Sequence, residues 1–272
     1  MSTLVYMKYY MKSWMTSKPY WFWSVAFMTI WMALGYVSAD RLAAAPLEAR
    51  LAYTAGWYVV IVGIGIAAAA VGLSRLLFYS SIPVRYLSKY SMLTSRKLYA
   101  YMFTGFIIVC LITAAVLAAM LLPLYSSKLG AVAPKNPLGL AAAVAGLGAL
   151  YFSIDVVTTC AAILARAARS AEYVAYLPLI LGMALTMLQL NTSLGKLFIL
   201  ASPINAATAL LFSYYTGMPP TTAAIVEPMS GVKLDPALLW ASVIAWTGLL
   251  SCIGIVLLRL QRGVGAEEIR LL

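Results

Sequence analysis

One carboxyl, Asp155, lies inside a long apolar stretch, on a helical line with Tyr151, Thr158, Thr159, Ala162 and Arg166. An acid at that depth is expensive in lipid, and two roles fit it. It is a proton or cation site or a polar contact on a substrate path, or it is bound to a hydroxyl of a neighbouring helix or to water. A second polar cluster, Thr186, Gln189, Asn191, Thr192 and Ser193, closes a later apolar run. Its last three residues suit a helix cap, whereas Thr186 and Gln189 lie a turn or so deeper, where they face a cavity or hydrogen-bond a neighbouring helix. Asp155, Thr186 and Gln189 are therefore the candidate lining of a path through the protein.

Other chemistry has no pattern to support it. The chain has no histidine, and Cys110, Cys160 and Cys252 each sit in an apolar run, as small buried thiols that stay reduced. No CxxC, HExxH or HxxxH spacing offers a metal site, and no GxSxG elbow or GxxxxGK[ST] phosphate loop occurs. Catalytic, cofactor-binding and metal-binding residues are thus expected to be absent, and the chain is read as a non-enzyme.

The elements that must position these residues follow from composition. Of 272 residues, 64% are hydrophobic and 10% charged, against roughly a quarter charged in an ordinary soluble domain. A soluble fold is excluded, and the solvent for most of the chain is lipid. Six apolar runs approach or exceed the length needed to cross about 30 Å of hydrocarbon. They are Trp21 to Ala39, Tyr53 to Leu73, Leu98 to Leu122, Leu138 to Ala165, Tyr173 to Leu190 and Ala237 to Leu258. Val37-Ser38-Ala39 ahead of Asp40 has the form of a leader cleavage site. The run before it is long enough to span and carries Trp21, Trp23 and Trp31, so it is read as the first span. A seventh run, Phe198 to Phe212, is shorter and holds Pro203 and Asn205, which suits a re-entrant or interfacial hairpin.

The fold expected is all-α: one polytopic transmembrane domain over 1–272, with an N-terminal interfacial helix over 1–19, a cytoplasmic loop over 74–97 and an outer loop with a re-entrant segment over 191–236. In the N-terminal helix Leu4, Met7, Met11, Trp14 and Met15 form one apolar stripe edged by Lys8 and Lys12. That pattern lies along a membrane surface, with lysines at head groups and Trp14 and the methionines in the acyl boundary. Glycines and alanines crowd the second and fourth runs (Gly63, Gly65, Ala67 to Ala70, Gly72; Ala141 to Ala143, Gly146, Gly148) and are read as close helix contacts.

The net charge is +11, from 19 basic and 8 acidic residues. The basic residues are scattered between apolar segments and line no single face, which argues against a nucleic-acid partner. Thirteen of the 19 fall on one side if both termini face the cytoplasm, so the positive-inside rule predicts a multi-pass protein of the cell membrane in that orientation.

The loop between the second and third spans is basic, short and interleaved with apolar residues: Ser74-Arg75-Leu76-Leu77-Phe78-Tyr79, then Ile82-Pro83-Val84-Arg85-Tyr86-Leu87-Ser88-Lys89-Tyr90, then Ser95-Arg96-Lys97. With Leu76-Leu77, Pro83-Val84-Arg85 and Arg96-Lys97 in matching places, the chain resembles the ABC-2 type permeases, membrane subunits of ATP-binding-cassette exporters. It departs from them in having Arg75 and no glutamate ahead of the loop helix. Importer-type permeases are a poorer fit, since neither Glu172-Tyr173-Val174-Ala175 nor Glu267-Glu268 matches their EAA loop.

The resemblance implies an elbow helix carrying Met7, Lys8, Met11, Lys12, Trp14 and Met15, and a coupling helix over Ile82, Pro83, Val84, Arg85, Tyr86, Leu87, Lys89 and Tyr90. It implies export of a lipophilic or amphipathic substrate by a dimer with a second permease copy or homologue, in the lipid bilayer. It also implies a separate ABC ATPase subunit carrying ATP and Mg, with spans two and five of both protomers lining the path. A secondary transporter using Asp155, and a scaffold recruiting a cytoplasmic partner through the basic loop, are the alternatives.

Overall fold

The computed structural model describes residues 3–79, 81, 94–130, 132–165, 173–227 and 231–260, of which the side chains of 3–7 are excepted. Among these residues the chain is helical, with one isolated antiparallel bridge between Thr221 and Lys233 and no strand. Six helical segments are long and apolar enough to cross a membrane: Lys18–Leu42, Leu47–Tyr79, Ser95–Leu129, Pro137–Leu164, Tyr173–Asn191 and Pro236–Leu260. This is the architecture of a multi-pass membrane protein, and each expected run lies within one of the segments to within a residue. In lipid the backbone must satisfy its own hydrogen bonds, so an apolar run of this length has no regular alternative to helix short of a closed barrel.

The helices are α1 (Thr3–Met15), α2 (Lys18–Trp21), α3 (Met28–Ser38), α4 (Leu47–Tyr79), α5 (Ser95–Leu129), α6 (Pro137–Leu164), α7 (Leu177–Asn191), α8 (Lys196–Ala201), α9 (Pro203–Thr216) and α10 (Pro236–Leu260). The first span runs α2, a π-helical turn at Phe22–Ala26, α3 and a 3₁₀ turn at Ala39–Leu42. The end of the bundle with α1 and the C-terminus of α4 is called the base. The opposite end, with the α3–α4 turn and the segment around 192–235, is the crown.

Helices begin where their caps dictate. Thr94 accepts from the Lys97 backbone N–H at 3.4 Å ahead of α5, and Asn136 accepts from that of Gly139 at 2.9 Å ahead of α6, with Pro137 following. Gly130 and Gly217, with φ of 76° and 73°, end α5 and α9 in conformations other residues resist. At the crown Arg50 donates to the Leu129 carbonyl at 2.6 Å, and Lys128 pairs with Asp40 at 2.6 Å. Basic residues there fasten the ends of α3, α4 and α5 together.

α4 is the axis of the fold, packing against α5, α6, α7 and α9. Its apolar window is 78% buried inside the chain, that of α6 67%, and that of α10 only 17%. The small residues expected at helix contacts are there. A side chain at Gly65 would meet the Ser24 carbonyl oxygen at 3.0 Å, one at Gly146 the Trp240 ring at 2.9 Å, and one at Gly148 the Cys110 sulfur at 3.0 Å. Cys110 and Cys160 are buried, but Cys252 is exposed on α10, so its expected burial is corrected. An apolar run does not distinguish a lipid-facing position from a packed one.

Between α7 and α10 the chain forms a short-helix hairpin. The Asn205 amide donates to the Leu185 carbonyl, and the Ser242 hydroxyl to that of Leu200. Each contact lies six residues in from the crown end of its span, which sets the α8–α9 turn at Ser202 about 9 Å below the crown. α9 then returns, and the Tyr215 and Tyr214 carbonyls accept from the backbone N–H groups of Lys135 and Asn136 at 2.9 and 3.0 Å. Most of α9 is buried.

Candidate functional site

Asp155 is 0% exposed, on the face of α6 turned to α4. The Ser74 hydroxyl, one turn before the end of α4, donates to its Oδ1. Ser74 has a single proton, already committed to the carboxyl, so the Thr159 hydroxyl must be the donor in the 2.8 Å Ser74–Thr159 bond. Asp155 Oδ2 is buried with no hydrogen-bond partner among the described residues. Of the helical line read from the sequence, Tyr151, Thr159 and Ala162 are buried with Asp155, Thr158 bonds back to the Asp155 carbonyl at 3.1 Å, and Arg166 is outside the described residues. The hydroxyl contact from a neighbouring helix is therefore present, and its donor, Ser74, is one that the pattern around Asp155 did not single out.

Thr186 and Gln189 are also buried, at 1% and 2% exposed. Gln189 Oε1 accepts from the Asn205 amide at 2.9 Å, and that amide also donates to the Leu185 carbonyl at 2.9 Å. The Ser202 hydroxyl completes Asn205 by donating to its Oδ1 at 2.6 Å. Thr186 lies at the α4–α7 crossing, its hydroxyl 3.6 Å from where a Gly63 side chain would begin. Asp155, beside Ser74 in the base half of α4, lies apart from Thr186, beside Gly63 midway along α4, and from Gln189 a turn nearer the crown, and no hydrogen bond among the described residues joins them in a single site. Asn205, noted in the sequence only as part of a helix-breaking pair with Pro203, is the residue that makes Gln189 a tie between α7 and α9.

A third polar group links α5, α6 and α10. The Tyr99 hydroxyl bonds Ser251 at 2.8 Å and Ser153 at 3.2 Å, with Ser153 and Ser251 3.1 Å apart. Neutral clusters of this kind hold helices in register without placing charge in lipid.

α1 packs on the base half of α5, and among its described side chains Tyr10 and Trp14 are buried. Trp14 meets Tyr20 and Phe106 edge-on at 5.5 and 5.7 Å, and its ring closes over Gly72. The expectation that Trp14 enters the acyl boundary is corrected: it enters the protein, because the bundle offers an aromatic wall as apolar as lipid. Lys8 and Lys12 are exposed, Met11 and Met15 half-buried, and the Met7 side chain is outside the described residues. The coupling-loop residues Ile82, Pro83, Val84, Arg85, Tyr86, Leu87, Lys89 and Tyr90 also lie outside the described residues. What is described is their frame, the end of α4 at Tyr79 and the start of α5 at Ser95.

Spans two and five were expected to line a path between two protomers. The base half of α4 leaves free only a narrow strip of Ala68, Gly72, Arg75, Leu76 and Tyr79. The first half of α7 is more open, with Leu177, Ile180 and Met183 exposed. At the crown, a cavity of about 500 Å³ lies between Leu42, Tyr53, Trp57, Val60, Leu190 and Ile225. Its lining is apolar apart from a few groups such as Ser38 and Glu48, a surface that would accept an apolar or amphipathic molecule. Among the described residues no group of histidines, cysteines and carboxylates could hold a metal ion. Compared with known proteins, the chain matches no family model, and no curated protein or solved structure is significantly similar to it.

Proposed function

We propose that the chain is the membrane subunit of an ABC exporter of the ABC-2 type, working as a dimer with a second copy or a homologue and with a separate ATPase subunit that binds ATP and Mg. Both termini and the loop over 74–97 face the cytoplasm, which makes the base the inner end. The observation that carries the reading is the α8–α9 hairpin between the fifth and sixth spans, dipping about 9 Å from the crown and returning to it. In this reading it is the re-entrant segment, and α1 is the elbow helix at the inner interface.

The length of α4 and α5 supplies a mechanism. At 33 and 35 residues they are about 50 Å long, well beyond the roughly 30 Å of hydrocarbon, and their inner ends flank the loop. ATPase closure would push on the loop, and α4 would pass the displacement to α5, α6, α7 and α9, all packed on it. The bundle then exchanges between two packings, and the substrate face opens inward or outward. The substrate would be lipophilic or amphipathic, since Asp155 is the one charged side chain buried in the described spans.

Copurification tests the proposal. Tagged protein from its native membrane should capture an ATPase, and Arg85→Glu with Tyr86→Ala should release it while leaving the melting temperature unchanged. No ATPase captured, or capture indifferent to the loop, would sink the reading. The unpartnered Asp155 Oδ2 favours one alternative, a secondary transporter with a proton or cation at that oxygen.

A further inference from the structure

A second cavity, of about 380 Å³, lies at the base between α1–α2 and the ends of α4 and α7. Its walls are aromatic, with Trp14, Tyr20, Trp23, Tyr79 and Tyr176 around a small-residue floor at Gly72. Among the described residues one charged side chain lines it. Arg75 is exposed, two residues beyond the apolar run that ends at Leu73, so it sits where hydrocarbon gives way to head groups. Its guanidinium lies 5.9 Å from the centre of the Tyr176 ring and donates to the Tyr176 hydroxyl at 3.1 Å. Those contacts hold it in place and leave most of its five donors without a partner among the described residues.

Two observations point to the missing acceptor. Arg75 forms no ion pair among the described residues, and the described carboxyls apart from the enclosed Asp155 lie at the crown. Lys12 and Lys18, exposed on α1 and α2, add positive charge at the same end. A ligand for this cavity needs oxygens that accept from a guanidinium, negative charge, and an apolar portion for the aromatic walls.

We infer that the groove between α1 and α4 holds one anionic phospholipid of the surrounding leaflet, with its phosphate on Arg75 and its acyl chain against Trp14, Tyr20 and Gly72. Guanidinium and phosphate match in geometry as well as charge, and a lipid supplies phosphate and hydrocarbon at the depth where both are needed. The bound lipid fills the space between the N-terminal helix and the bundle, and so fastens α1 to α4. The inference needs only that the chain is embedded in a membrane, and it stands whether or not the protein is an exporter.

The experiment is lipid retention. The full chain is reconstituted in vesicles of equal parts phosphatidylglycerol and phosphatidylcholine, extracted in a neutral detergent, and its tightly bound lipids are counted by native mass spectrometry. The wild type should keep one phosphatidylglycerol, preferred about tenfold over phosphatidylcholine. Arg75→Gln should lose that preference, Arg75→Lys keep part of it, and Trp14→Phe weaken it. Millimolar inorganic phosphate should not displace the lipid; displacement would mean a free-anion site and overturn the proposal. Equal retention by wild type and Arg75→Gln would overturn it, as would a dimer lost in Arg75→Gln with lipid retention unchanged, which would assign the groove to a second copy. Retention gained only in Glu172→Gln would show the guanidinium taken by the chain's own carboxylate, with the same consequence.

Discussion

Gly182 on α7 stands where three spans meet, and adding one methyl group there should loosen all three. A Cβ on Gly182 would lie 2.2 Å from the Tyr151 hydroxyl oxygen, 3.0 Å from Tyr151 Cζ and 3.1 Å from Ala67 Cβ. Tyr151 is 0% exposed, enclosed within the bundle, so its ring has no room to swing aside. Gly182→Ala must therefore push α7 away from α4 and α6, at about 1–3 kcal/mol. The Tyr151 hydroxyl has no partner among the described residues, so Tyr151→Phe removes both the closest clash and an unsatisfied buried group. On its own Tyr151→Phe should be neutral or stabilising by about 1 kcal/mol, and beyond that effect of its own it should recover about 1 kcal/mol of the Gly182→Ala cost. Recovery is partial because Tyr151 Cζ and Ala67 remain close. Gly248 on α10, with nothing within 4 Å of an added Cβ, is the control, and Gly248→Ala should be silent. The four variants and the wild type are compared by unfolding in mixed micelles, followed by tryptophan fluorescence. Additive costs in the double variant, or no cost in Gly182→Ala with Tyr151 intact, would refute this packing.

Asn205→Ala should destabilise by about 1–3 kcal/mol, because it leaves Gln189 without its amide partner in a buried site; adding Gln189→Leu should restore part of the loss in the same unfolding assay. Ser74→Ala should cost about 1–2 kcal/mol by removing the hydroxyl that serves both Asp155 and Thr159. Asp155→Asn keeps an acceptor for Ser74 and should melt within about 0.5 kcal/mol of the wild type. If the proposed exporter assignment holds, its transport in proteoliposomes with the proposed ATPase should also persist, whereas loss of gradient-driven transport would transfer the assignment to a secondary transporter. Arg50→Met should fray the crown end of α5 by removing the donor to the Leu129 carbonyl, read as faster amide hydrogen exchange at residues 126–129.

The spans were legible because lipid asks one question of a segment, whether it is apolar for long enough, and hydropathy answers it. Helix ends were less so. The second run stops at Leu73, but α4 continues to Tyr79 and starts at Leu47, since Glu48, Arg50, Ser74 and Arg75 break the hydropathy and not the helix. The stripe on α1 was equally visible, yet its side chains could not say whether they would meet lipid or protein. Trp14 fits either, and the wall formed by Tyr20 and Phe106 decides. Asp155 stood out as an acid in an apolar run, while the serine that donates to its Oδ1 lies 81 residues earlier. Gly182 gave no signal because a lone glycine in the fifth run looks like any other small residue.

The sequence by itself determined that this is an all-helical membrane protein with six spans, a short broken segment between the fifth and sixth, and little charge at depth. Those properties depend on local composition and on the length of each run, which neighbours cannot change. Only the tertiary structure decided that α4 is the axis, that Gln189 meets Asn205 and Asp155 meets Ser74, and that Arg75 faces a cavity with aromatic walls. Each of these depends on which helix faces are brought together. In a bundle where lipid and leucine are equally apolar, that choice rests on small residues and scattered hydroxyls whose partners are far away in the chain.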